Sequence, residues 1–133
     1  MKEQYILVVT CPDARGVVAA VATYLSENRA TIVESNQFHD SVGDLFYMRV
    51  LFRPDGAMPS LSALDQGFAP IGARFSMTWA FHDTRVKPRV LIAVSNIPHC
   101  LYDLLGRWRS GQLPIEIPAV ISNHESTRSF VEW

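Results

Sequence analysis

Near the amino terminus the chain carries the stretch that decides its fold, Tyr5-Ile6-Leu7-Val8-Val9-Thr10-Cys11-Pro12-Asp13-Ala14-Arg15-Gly16. The first half is a short β-branched apolar run, which is the pattern of a buried strand. The second half is a cluster of turn-forming residues, so we expect the strand to end there. Beyond it, Val17, Val21 and Leu25 recur every fourth residue, and this spacing predicts an amphipathic helix over residues 16–28.

The segments that follow continue this alternation of strands and helices. Residues 30–39 and 45–53 are extended runs joined by a short loop that contains Gly43, which predicts a hairpin. Ser60 can cap a second helix, and Pro70 is expected to kink that helix or to begin a new turn. The apolar side of this helix comprises Leu61, Leu64, Phe68 and Ile71. Residues 74–82 alternate again and predict a strand that carries Phe75, Met77, Trp79 and Phe81 on one face. This order predicts an α+β, ferredoxin-like βαββαβ domain over residues 1–82.

A different pattern begins after residue 82. Residues 83–88 carry charges and a proline, and we interpret them as a linker. Residues 90–94 form a continuous apolar run typical of a buried parallel strand, residues 100–109 have helical spacing, and residues 115–121 predict a second strand. This is one Rossmann-like βαβ unit, and a single unit cannot cover both faces of its sheet. Residues 89–133 are therefore expected to be an incomplete domain in which the chain looks cut off.

The composition excludes several classes of protein. The 133 residues are 48% hydrophobic and 19% charged, which favours a packed core over a disordered chain. Lys and Arg number 12 against 13 Asp and Glu, so the basic excess of a nucleic-acid-binding protein is missing. No apolar run reaches the roughly 18 residues of a membrane helix, and no membrane partner is expected. The two cysteines, Cys11 and Cys100, give neither a disulfide framework nor a zinc site, which favours a reduced, cytoplasmic protein.

Two stretches of the first domain carry a resemblance to a known family. They are Cys11-Pro12-Asp13-Ala14-Arg15-Gly16-Val17-Val18-Ala19-Ala20-Val21-Ala22 and Ile32-Val33-Glu34-Ser35-Asn36-Gln37-Phe38. An Asp, a Gly a few residues later and then an apolar helix start resemble the entry to the first helix of an ACT domain. ACT domains are amino-acid-sensing modules of metabolic enzymes, so the resemblance implies a regulatory domain that binds a small amino acid such as glycine or methionine.

The second domain resembles the start of a formyltransferase-type domain. The segments that carry this resemblance are Lys87-Pro88-Arg89-Val90-Leu91-Ile92, His99-Cys100-Leu101-Tyr102-Asp103-Leu104-Leu105, Arg107-Trp108, Gly111-Gln112-Leu113-Pro114-Ile115 and Val120-Ile121-Ser122-Asn123-His124. An ACT domain followed directly by such a segment is similar to the layout of the formyltetrahydrofolate deformylase family. The resemblance implies a hydrolase of one-carbon metabolism and purine biosynthesis. Its substrate would be 10-formyltetrahydrofolate, its products formate and tetrahydrofolate, and it would hold no tightly bound cofactor.

The resemblance assigns no catalytic residue to this chain. Attack of water on a formyl group needs a general base and a donor for the developing oxyanion. In formyltransferase-like domains an Asn-His-Asp trio, with its Asn and His in an N-x-H motif, supplies these groups. No N-x-H motif occurs in this sequence, where Asn123 and His124 are adjacent. The chain alone is therefore expected to be inactive.

Several polar residues are candidates for binding. The resemblance to ACT domains implies an effector site formed by Asp13, Arg15, Gly16, Asn36 and Gln37. The alternative is structural: Asp13 and Gly16 cap the helix and shape the turn, Arg15 lies at the surface, and Asn36 and Gln37 are solvated residues of an edge strand. Three further residues, Ser95, Asn96 and His99, follow a strand at the carboxyl end, where open α/β sheets bind ligands, and are expected to border a cleft. No pair of histidines has metal-ligand spacing, so no metal is expected.

Two functional hypotheses follow. The first is the regulatory ACT portion of a formyltetrahydrofolate deformylase, whose catalytic trio lies outside this chain. The second is a free-standing ACT module that senses an amino acid. Both predict a homo-oligomer, a dimer or tetramer, because ACT domains commonly pair through their sheets.

Overall fold

The structure, a computed structural model, describes residues 2–132. They form two compact units, of which the first runs to Val86 and the second begins at Lys87. The elements are β1 (Tyr5–Pro12), α1 (Val17–Glu27), β2 (Ala30–Asp40), β3 (Leu45–Pro54), α2 (Leu61–Phe75), β4 (Thr78–Asp83), β5 (Ile92–Val94), α3 (His99–Arg109), β6 (Val120–Ser122) and α4 (Arg128–Val131).

The first unit is a four-stranded antiparallel sheet in the order β2-β3-β1-β4. Both helices pack on the same face, because the buried side chains of β1 alternate along the strand and share one core with those of α1 and α2. Leu7, at the centre, lies opposite Val50 of β3 and Phe81 of β4. The ferredoxin-like βαββαβ fold predicted from the sequence is confirmed.

Aromatic rings fill the middle of this core. The fully buried Phe68 of α2 meets Tyr24, Trp79 and Phe81 edge to face, with ring centroids 5.3, 5.5 and 5.8 Å away. Tyr24 also donates a hydrogen bond to the carbonyl oxygen of Leu64 at 2.6 Å. These contacts join α1 to α2 and α2 to the sheet.

Helix α2 differs from its prediction in two ways. It runs from Leu61 to Phe75 as one helix, so the new turn at Pro70, one of the two outcomes that the sequence predicted, does not form. Pro70 is exposed, and so is Gln66, whose carbonyl lacks an N–H partner at position 70. The buried neighbours Phe68 and Gly72 hold the helix on the core. Phe75 also belongs to this helix and not to the following strand. Ser76, in the left-handed conformation (φ 54°), ends the helix before β4.

Strand β2 is an exposed edge. Residues 32–39 are exposed, and a bulge between Ile32 and Glu34 shifts the register with β3. Phe38 is 65% exposed even though its ring lies 6.2 Å from that of Tyr47. The long hairpin predicted for residues 30–53 is present, with its outer strand open to solvent on both faces.

The second unit is a β-α-β arrangement whose strands β5 and β6 run parallel, with Ile92 opposite Val120. Its small core joins Ile92 to Leu101 and Leu105 of α3. The second strand is shorter than residues 115–121, since only a single bridge at Glu116 precedes β6 and Pro118 has no N–H to donate. No helix between residues 2 and 132 combines the length and apolar character that crossing a membrane requires.

The segment predicted as a linker, residues 83–88, is divided between the two units. Asp83 is the last residue of β4 and lies opposite Tyr5 of β1. The turn that follows, as far as Val86, is part of the first unit, and only residues 87–88 of the segment lie in the second.

Candidate effector site

The turn between β1 and α1 is built around Gly16. It precedes α1 in the left-handed conformation (φ 91°), which favours glycine, and a Cβ there would meet no heavy atom within 4 Å. Helix geometry leaves the first N–H groups of α1 without an intrahelical acceptor. Within residues 2–132 no side chain caps them. The turn therefore presents unpaired donors at the positive end of the helix dipole.

The structural alternative predicted that Asp13 caps α1. The side chain of Asp13 makes no such capping hydrogen bond. Its backbone N–H donates to the carbonyl oxygen of Asp44 in the β2–β3 turn at 3.1 Å. Its carboxylate lies 3.7 Å from Nε2 of His39, which is also 3.2 Å from the carboxylate of Asp44. The β1–α1 turn is thus tied to the end of the β2–β3 hairpin.

Asp13, His39 and Asp44 form a cluster that sequence spacing does not reveal. Their ligand atoms all lie within 4.8 Å of one another, close enough for a metal ion, although the spacing of the histidines had led us to expect no metal site. All three side chains are exposed and pair with each other. The register of three strands brings this cluster together. His39 of β2 lies opposite Phe46 of β3, and Phe46 lies opposite Cys11 of β1. Asp13 follows Cys11 by two residues.

Asn36 and Gln37 do not belong to one surface. Gln37 lies opposite the buried Met48, so it is on the helix-covered side of the sheet, as is His39 two residues later. Asn36 lies opposite Arg49 on the other side. Their side chains bond locally: Asn36 donates to Glu34 at 2.6 Å, and Gln37 donates to Ser35 at 2.7 Å. Only Gln37 therefore shares a side of the sheet with the His39 cluster.

A groove between α1 and α2 is a feature that the sequence did not indicate. Its volume is about 390 Å³, and its lining comprises Gly16, Ala19, Ala20, Thr23, Tyr24, Glu27, Ile71 and Arg74. The small side chains of α1 leave room for it, and Glu27 and Arg74 add one charge of each sign. Arg15, the remaining candidate of the turn, is exposed and does not line this groove.

Cys11, two residues before Asp13 in the chain, is a buried thiol of low reactivity. It is 1% exposed, and burial, together with the Asp13 carboxylate, raises the pKa of its thiol. A thiol that stays protonated is a poor nucleophile and a poor metal ligand. Cys100, at the start of α3, is exposed.

The candidates of the second unit, Ser95, Asn96 and His99, follow the carboxyl end of β5. Ser95 lines an open, shallow cavity with residues of both strands, among them Ser122, and with Asn123, which follows β6. Asn96 accepts a hydrogen bond from Ser126 at 3.4 Å, and His99 is the first residue of α3. All three candidates are exposed, and neither Asn96 nor His99 lines the cavity.

The chain is similar over its whole length to formyltetrahydrofolate deformylases. It is 43% identical over 135 residues to the formyltetrahydrofolate deformylase of Corynebacterium sp. (strain P-1), an alignment that covers 100% of this chain and 47% of the relative. The crystal structure of a formyltetrahydrofolate deformylase from Pseudomonas syringae pv. tomato str. DC3000 matches with a TM-score of 0.80 and 39% identity, over 100% of this chain and 45% of that chain. The chain thus spans just under half the length of these relatives.

A second likeness concerns the fold alone. An ACT domain protein from Streptococcus pneumoniae matches 62% of this chain and 91% of its own length, with a TM-score of 0.54 and 19% identity. No protein-family model matches the chain. These comparisons confirm both resemblances drawn from the sequence: an ACT fold, and similarity to formyltetrahydrofolate deformylases.

Proposed function

We propose that this chain is the regulatory ACT portion, followed by the opening of the formyltransferase-like portion, of an enzyme that hydrolyses 10-formyltetrahydrofolate to formate and tetrahydrofolate. The observation that carries the proposal is similarity to deformylases across both units, at 39–43% identity over the whole chain. A free-standing ACT module would account only for the first unit. The second unit needs the deformylase relationship to explain it.

In this proposal the chemistry is performed outside the chain. Deformylation requires a base for the attacking water and a donor for the oxyanion that forms on the formyl group. Ser95, Asn96 and His99 follow the carboxyl end of β5 and are exposed, and the cavity that Ser95 lines is open and shallow. We assign them a place at the border of the folate cleft and no catalytic role.

The first unit is proposed to bind an amino-acid effector at the β1–α1 turn. A zwitterion needs an acceptor for its ammonium group and donors for its carboxylate. Asp13 offers the acceptor, and the uncapped N–H groups after Gly16 offer the donors. Gln37 is included in this proposed site because it lies on the same side of the sheet as His39, and Asn36 is left out because it lies on the other side. Glycine and methionine are the effectors to test first.

Hydrolysis of 10-formyltetrahydrofolate is the test of the catalytic assignment. The complete polypeptide isolated from the source organism is expected to release formate, and the 133-residue chain is expected to release none above background. Release of formate by the 133-residue chain would refute the placement of catalysis outside it. Absence of hydrolysis by the source polypeptide would refute the deformylase assignment and favour the free-standing sensor.

Ligand-induced stabilisation tests the effector site. A ligand at 100 times its Kd adds about 2.7 kcal/mol to the free energy of unfolding. Glycine or methionine is expected to raise the Tm of the wild-type chain, and Asp13→Asn is expected to abolish the rise. The matched control is Asp55→Asn, which changes an exposed turn carboxylate at the opposite end of β3. Equal shifts in both variants would place the effector elsewhere, with the α1–α2 groove as the next candidate.

Self-association is proposed to occur through the edge of β2. That strand is exposed along residues 32–39 and contains no Lys or Pro, the residues that commonly protect sheet edges from pairing. Light scattering of the wild-type chain is expected to give a dimer or tetramer. Phe38→Lys is expected to weaken this self-association. Val42→Lys, in the exposed turn beyond the strand, is expected to leave it unchanged. A wild-type monomer would refute this assignment.

A further inference from the structure

The turn after β4 folds back onto the start of the first strand. Beyond the last pair of the β1–β4 ladder, Thr84 donates twice to the carbonyl oxygen of Gln4, from its backbone N–H at 3.2 Å and from its hydroxyl at 2.9 Å. The backbone N–H of Val86 then donates to the carbonyl oxygen of Asp83 at 3.1 Å and closes a turn. Residues 83–86, which we call the strap, therefore continue the sheet edge.

Charged side chains hold the strap in this position. The guanidinium of Arg85 donates twice to the carboxylate of Asp83, at 3.0 and 2.9 Å, and the backbone N–H of Arg85 donates to the same carboxylate at 2.9 Å. The guanidinium also donates to the hydroxyl of Tyr5 at 3.2 Å, and that hydroxyl donates to Glu3 at 2.7 Å. Tyr5 is only 7% exposed, so Arg85 connects the strap to a side chain anchored in the core. A forked arginine–carboxylate pair has stricter geometry than an ordinary surface ion pair.

The main chain is held again almost immediately after the strap. The carbonyl oxygen of Pro88 accepts a hydrogen bond from the N–H of Glu116 at 2.9 Å, and the N–H of Val90 donates back to Glu116 at 2.8 Å, both within the second unit. The ring of Pro88 restricts its own φ and limits the conformations of Lys87. With the strap closed, Lys87 is the residue that lies between the hydrogen bond made by Val86 in the strap and the hydrogen bond accepted by Pro88 in the second unit.

We propose that the strap is a latch that sets the length of the tether between the two units. Closed, the tether is one residue, Lys87, with a reach of about 3.5 Å. Open, the tether includes residues 84–87 and reaches about 14 Å when extended. Opening requires the Arg85 pair and the two hydrogen bonds to Gln4 to break together, while the β1–β4 ladder up to Asp83 stays formed.

Amide hydrogen exchange of the 133-residue chain, followed by NMR, tests this latch. In the wild type the amides of Thr84 and Val86 are expected to exchange more slowly than in an unstructured peptide. Asp83→Asn is expected to accelerate both about three- to tenfold, and Tyr5→Phe about twofold. The matched control is Asp103→Asn, which removes an exposed arginine–carboxylate pair from α3 and is expected to leave both rates unchanged.

Three results would overturn the proposal. The first is wild-type exchange of Thr84 and Val86 at the rate of an unstructured peptide. The second is an equal rate in wild type and Asp83→Asn. The third is acceleration of the buried Val9 amide by the same factor, since the strap would then open only when the whole first unit unfolds.

Discussion

Replacing Gly72 with alanine is expected to destabilise the first unit although alanine is the better helix former. Gly72 lies in α2 directly beneath the indole ring of Trp79, and an added Cβ would lie 2.6 Å from Cε3 and 2.8 Å from Cη2 of that ring. Real Cβ atoms do not approach other heavy atoms so closely, so the ring or the helix must shift. The indole is held by a 2.9 Å hydrogen bond to Asp65 and by its edge-to-face contact with Phe68.

The magnitude follows from two opposing effects. Overpacking a well-packed core costs about 1–3 kcal/mol, and the rigid, hydrogen-bonded indole favours the upper part of that range. Replacing glycine with alanine inside a helix stabilises the folded state by about 1 kcal/mol. The expected net loss is about 1–2 kcal/mol in the free energy of unfolding. For a unit of this size each kcal/mol lowers the Tm by about 4–8 °C.

Urea unfolding followed through the Trp79 indole resonance measures this loss in the first unit. The matched control is Gly106→Ala in α3, where an added Cβ meets nothing within 4 Å. That substitution is expected to stabilise the second unit by about 0.5–1 kcal/mol. If Gly72→Ala is as stable as the wild type, the packing of Trp79 against α2 is looser than the structure indicates, and the reasoning is refuted.

Three further predictions concern other parts of the chain. Tyr24→Phe removes the hydroxyl that donates to α2 and is expected to cost about 1 kcal/mol in urea unfolding, so an unchanged midpoint would contradict that hydrogen bond. Hydrogen bonds from Arg85 lower the pKa of the Asp83 carboxyl, so the ionised carboxylate stabilises the folded chain fully above pH 3.8. This stabilisation is lost as the pH falls through the lower pKa of the native state. The urea midpoint of the wild type should therefore fall more steeply than that of Asp83→Asn below pH 3.8, and parallel curves would refute this. Cys100 should react with a thiol reagent in the native chain and Cys11 only after unfolding, so labelling of both in the native state would contradict the burial of Cys11.

Periodicity predicted the first unit well because its signals are local. The alternation of Phe46, Met48, Val50 and Phe52 assigned the buried face of β3, and the spacing of Val17, Val21 and Leu25 assigned that of α1. In α2 the helical spacing of the apolar residues conflicted with the proline at position 70, and packing on the core decided that the helix continues. Pro70 predicted a kink or a new turn, yet the helix continues to Phe75 because its opposite face is buried.

The candidate site was predicted only in part. The turn at Asp13 and Gly16 was identified, since breakers between a strand and a helix mark such turns in the sequence. His39 was not included, because its closeness to Asp13 depends on how three strands align. Asn36 and Gln37 were grouped because the resemblance to ACT domains implies an effector near this segment, but consecutive residues of a strand lie on opposite sides of the sheet.

The sequence by itself determined the order of the elements, the buried positions within each, and the relationship to deformylases, because these depend on residue type and local spacing. Only the tertiary structure decided which distant residues meet. Strand pairing brings Tyr5 to Arg85 and Asp13 to His39, and each of these contacts depends on a register. A shift of one residue would place the alternate side chains on the other face of the sheet. That register is selected by the packing of the whole core, which no short stretch of sequence contains.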